Sequence, residues 1–116
     1  MNASELTQKW GNKTLTDSEI LSYLVENLSA SRYHDYQTVA HVADLCHQIY
    51  LWSTGQEEYL DEFLESIVKN DLFEAAHRAD DKNRTALWLY VAFLYNVAPG
   101  GWKTPLYKEL ELREKG

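Results

Sequence analysis

The sequence predicts an all-α fold, a small bundle of five to seven helices. Three observations carry that prediction. Apolar residues recur at intervals of three and four along nearly the whole chain, the spacing that gathers side chains on one face of a helix. Helix punctuation occurs at intervals: a "TDSE" box at residues 16–19, a glycine at Gly55, and "PGG" at residues 99–101. No stretch alternates apolar and polar residues as a half-buried strand does. Only "YLW" at residues 50–52 fits strand and helix alike.

Each element follows from local chemistry. A short first helix carries Leu6 and Trp10 and ends at Gly11. The box at residues 16–19 starts the next helix: the Thr16 hydroxyl takes an orphan amide while Glu19 reaches back. Ile20, Leu21, Leu24, Val25 and Leu28 form its apolar stripe. A helix beginning near Asp35 buries Tyr36, Val39, Ala40, Ala43, Cys46, Ile49 and Tyr50, and stops before Gly55. The following helix turns Leu60, Phe63, Leu64 and Ile67 inward. It sets Glu57, Glu58, Asp61, Glu62 and Glu65 on the opposite face.

Asn70 or Asp71 can cap a short helix with Leu72, Phe73, Ala76 and Ala79. "DDKNR" at residues 80–84 contains neither Gly nor Pro, so residues 72–97 read as one helix or two. A fresh cap at Asp80 or Asp81 favours two. "ALWLYVAFLY" is apolar almost all round, the mark of a central buried helix, and "APGGW" ends it. Thr104 as cap with Pro105 in the first turn opens a C-terminal helix over about residues 104–115. The expectation is one helical domain over residues 1–116.

The chain also matches itself at an offset of 36 residues. "AHVAD" at residues 40–44 falls on "AHRAD" at residues 76–80, and 11 identities link residues 20–54 to 56–90. The reading is a degenerate duplicated helix-turn-helix, with a period in the range of helical repeat proteins. Two copies are few for a solenoid, so the flanking helices would have to cover the ends.

That repeat pairs His41 and Asp44 with His77 and Asp80. Each pair is spaced to share a helix face, so the four side chains are candidate metal ligands, and a metal-dependent enzyme is one reading. Against it, carboxylate-bridged sites recruit more ligands, and His47 has no counterpart in the second copy. The plainer reading is structural: the flanking alanines permit close helix approach. No nucleophile elbow or phosphate-binding glycine loop is present, so no enzyme, cofactor or metal is expected.

Composition narrows the partners. Eighteen acids against 11 bases give a net charge of −7. Such a field repels nucleic acid and anionic membranes and favours basic partners. Charge is also polarised along the chain. Residues 51–80 hold eight acids against two bases, a net of −6; residues 81–116 hold four against six, a net of +2. The five carboxylates from Glu57 to Glu65 are therefore the candidate partner-binding face. The leading expectation is a small acidic protein-binding domain of inhibitor or immunity type, engaging a nucleic-acid-handling protein. The alternatives are an adaptor module that self-associates, with acidity serving solubility only, and the metal enzyme.

Four Trp, eight Tyr and three Phe supply core bodies or binding anchors. Trp88, Tyr90, Phe93 and Tyr95 read as core. Trp10, Trp102 and Tyr107 read as anchors at helix ends. Cys46 is alone, which excludes an internal disulfide, and its apolar setting implies an inert thiol. The N-terminus has no apolar signal region and no run is long enough to span a membrane, so a cytoplasmic setting is expected. The four glycosylation triplets at Asn2, Asn12, Asn27 and Asn83 then carry no weight.

Overall fold

The computed structural model describes residues 1–69, 71, 75 and 86–99. Five α-helices and one 3-10 turn occur among them, with no strand: α1 (Ala3–Gly11), α2 (Asp17–Asn27), the 3-10 turn (Ala30–Arg32), α3 (Tyr36–Ser53), α4 (Glu62–Val68) and α5 (Leu87–Val97). Residues 50–52 are the last turns of α3, so the ambiguous "YLW" is helical.

The helix starts are set by side-chain caps. Asn2 and Glu5 form a full capping box at α1, as do Thr16 and Glu19 at α2. The carboxylates of Asp35 and Asp61 accept from the N–H groups of Thr38 and Leu64 at 2.7 and 2.8 Å, opening α3 and α4. Each satisfies an amide that has no partner inside its helix.

The helix ends use left-handed residues. At α3 the Gly55 N–H donates to the Trp52 carbonyl and the Gln56 N–H to the Leu51 carbonyl, closing a Schellman motif around Gly55 at φ +79°. The same two bonds close α1, but around Lys13 at φ +61°: Lys13 N–H to Trp10, and Thr14 N–H to Lys9. Gly11 does end α1, yet the left-handed position falls two residues later. Before Pro99, Ala98 is extended and stops α5, as a residue preceding proline prefers.

The core is one cluster built on α3 and α5. Helix α3 buries Val39, Val42, Ala43, Leu45, Cys46, Ile49, Tyr50 and Trp52, and packs most extensively on α2. Helix α5 contributes Leu89, Tyr90, Phe93, Leu94 and Val97. Trp10 of α1 fills the space between them. Its ring stands edge-on to Tyr50 at 5.5 Å and stacks on Phe93 at 6.2 Å, and its Nε1–H donates to the Ser53 hydroxyl at 3.1 Å. The α1–α2 connection is pinned to α3: the Leu15 N–H donates to the Tyr50 hydroxyl, and His47 Nε2 donates to the Leu15 carbonyl, both at 3.2 Å. Among the described residues, no buried side-chain nitrogen or oxygen lacks a hydrogen-bond partner. No helix among them is long and apolar enough to cross a membrane.

Several expectations are corrected. Tyr36 is 72% exposed, on the solvent side of a first turn whose Thr38 and Val39 are buried. On α2, Tyr23 is buried and Val25 is exposed, so the inward face is rotated from the predicted stripe. Helix α5 is not buried all round. Trp88 is 40% and Tyr95 73% exposed, seven residues apart and therefore on one side of the helix. Trp and Tyr tolerate that position because each carries a polar tip.

The duplication is unconfirmed: two of the matched pairs that are both described differ in setting. Tyr23 is buried within α2, whereas Tyr59 is exposed outside any helix. Trp52 ends α3, whereas Trp88 begins α5. The turn at Gly55 and the cap at Asp61 interrupt the second stretch where the first is continuous helix. His77, Asp80, the "DDKNR" break and the helix over residues 104–115 lie outside the described residues. Asp71 does receive a bond from the Ala75 N–H to its carbonyl at 2.9 Å, as a helix-start residue does.

Candidate functional site

The acidic stretch is built differently from its predicted form. Glu57 and Glu58 precede α4 in a non-helical connection, Asp61 is the cap, and only Glu62 and Glu65 stand on the helix. The five carboxylates are therefore not one helical face. The physical reason lies at both ends. Gly55 terminates α3 early, and Asp61 is more favourable as a cap outside the helix than within one. Leu60 packs partly against the core and anchors the connection from beneath. Glu57, Glu58, Asp61 and Glu62 are exposed, Glu65 is half-buried, and Phe63, Leu64, Ile67 and Val68 face inward. Tyr59, 82% exposed, stands among the acids.

The sequence around this stretch is acidic. Residues 33–68 contain seven carboxylates and no Lys or Arg. Elsewhere, Lys9 bonds Glu19 at 2.9 Å. Partial burial acts to raise the Glu19 pKa, but the bonds from Lys9 and Thr16 outweigh it and hold it below the ordinary value. Asp17 is shifted upward, chiefly by desolvation and then by the Asp44 carboxylate, with His47 pulling the other way.

His41 and Asp44 are both exposed on α3, one turn apart, as their spacing implies. The Asp44 carboxylate accepts from the Gln48 amide at 3.2 Å. Among the described residues, no group of three His, Cys, Asp or Glu side chains is placed to hold a metal ion. Cys46 is fully buried, and desolvation, with a smaller push from Asp17, raises its pKa far above that of a free thiol. It fits no nucleophilic role.

A second surface feature was missed in the sequence. The Trp88 ring stacks on His34 at 6.2 Å and meets Tyr33 edge-on at 6.1 Å, and the Trp88 Nε1–H donates to His34 Nε2 at 3.2 Å. Tyr33 is 68% exposed. These partners lie 54 residues apart. Only the tertiary fold brings them together.

No protein-family model, curated protein or solved structure matches the chain.

Proposed function

We propose that this protein binds another protein through a basic surface on that partner, as a small inhibitor or immunity-type domain would, with the connection from Glu57 to Glu62 as the docking segment. The observation that carries this reading is the run of residues 33–68, with seven carboxylates and no Lys or Arg, four of its acids exposed within six residues. Carboxylates so arranged steer a basic surface toward them and set the salt dependence of association. A nucleic-acid-handling protein is the class of partner whose own function requires such a basic surface.

The structure changes how this reading is tested. Asp61 is a helix cap, so replacing it would remove about 1 kcal/mol of stability for reasons unrelated to docking. The informative variant is Glu57→Lys with Glu58→Lys. Its control is Glu26→Lys with Asp44→Lys, which changes net charge equally on exposed sites of α2 and α3. Affinity capture from the native host extract, with nuclease treatment, is run with all three proteins. The expected result is a basic protein retained by the wild type and the control and lost with the first variant. Equal retention by all three would end the proposal.

A further inference from the structure

We infer that His34 and Trp88 form a proton-sensitive tie between the 3-10 turn and the start of α5. An indole nitrogen only donates. The Trp88 Nε1–H donates to His34 Nε2, so that nitrogen carries a free lone pair and the imidazole is neutral with its proton on Nδ1. Protonation turns the acceptor into a donor. Two N–H groups then face each other across 3.2 Å, and the rings must separate or rotate.

Helix α5, the element across the contact, holds no charged or acidic side chain from Leu87 to Val97 that could receive the new proton. Asp35 follows His34, and one oxygen of its carboxylate accepts the Thr38 amide as the α3 cap. Tyr33 meets the same indole edge-on and moves with it. The contact is therefore closed when His34 is neutral and opens when Nε2 takes a proton. Its opening releases the Trp88 side chain from the turn, while Ala86, Leu89 and Tyr90 at the start of α5 stay in the core. Trp88 then becomes a more exposed aromatic surface at low pH.

The test follows the Trp88 indole N–H resonance, assigned by its loss in Trp88→Phe, through a titration from pH 8 to pH 5. In the wild type it should shift along a single titration curve that coincides with that of the His34 ring protons. Its solvent exchange, corrected for intrinsic pH dependence, should rise by about fivefold, the factor of one ordinary hydrogen bond. His34→Gln places an amide oxygen near the Nε2 position and does not titrate, so its indole resonance should stay fixed. A wild-type indole resonance that does not move, or one whose midpoint differs from that of the His34 ring, would overturn the inference. So would the same titration in His34→Gln.

Discussion

Trp10 gives the most demanding test of the fold, because one side chain joins three helices. Only 3% of it is exposed, and it touches Tyr50 of α3, Phe93 of α5 and the Ser53 hydroxyl. Replacing it by alanine removes roughly 200 Å² of buried apolar surface, about 5 kcal/mol at 25 cal/mol per Å². The two ring pairs and the Ser53 bond would add to that, and relaxation of the cavity would subtract. The Ser53 hydroxyl is not orphaned by the change, since it also donates to the Tyr50 carbonyl at 3.0 Å. A net loss of about 4 kcal/mol is expected, within the range for large aromatic truncations.

For a chain of 116 residues, the entropy of unfolding makes each kcal/mol worth about 4 °C in the melting midpoint. Trp10→Ala should therefore melt about 16 °C below the wild type. Trp10→Phe keeps a ring against Tyr50 and Phe93 but loses the Ser53 bond and part of the volume, and should lose about 6 °C. Circular dichroism at 222 nm with urea titration measures both. A Trp10→Ala midpoint within about 4 °C of the wild type would mean that α1 does not hold α3 and α5 as described.

Three further outcomes follow from the caps. Gly55→Ala meets no atom within 4 Å, so its cost is the left-handed backbone alone, about 1 kcal/mol in chemical denaturation; Lys13→Gly relieves the same conformation and should stabilise by about 0.5 kcal/mol. Glu19 has a folded pKa below its ordinary 4.5, so its contribution is complete above that value and is lost as pH falls through the folded pKa. Wild type should therefore exceed Glu19→Gln in urea midpoint at pH 7, with the gap closing in strong acid.

The parts of the fold that were legible in the sequence are those decided within a few residues. Thr16 with Glu19, Asp35 and Gly55 act on backbone groups three to five positions away, so residue type and spacing suffice to place them. Buried positions of α3 were legible because an 18-residue helix repeats its pattern several times. Helix α4 has only seven residues, and nothing in its composition separates a carboxylate that caps from one that lies on a face. Asp61 was placed on the wrong side of that distinction. The matches at offset 36 are a weak guide to structure for a related reason. Tyr, Leu and Glu recur in any amphipathic helix, and identity of type at Tyr23 and Tyr59 did not record that one is buried and the other exposed. The His34–Trp88 contact had no local signal at all.

The structure separates display of charge from stability in a way that a continuous acidic helix would not. On a helix, reversing several carboxylates alters side-chain pairs and the interaction with the helix dipole, so a loss of binding could follow from a loss of structure. Here the connection is fixed at its ends by backbone devices, the Gly55 turn and the Asp61 cap, and from below by Leu60. Glu57 contributes its backbone N–H to the Leu51 carbonyl at 3.1 Å, and a lysine in its place makes the same bond. Charge at this position can therefore change sign while the main chain keeps its hydrogen bonds. That is why reversal at Glu57 bears directly on docking, and why a substitution at Asp61 does not.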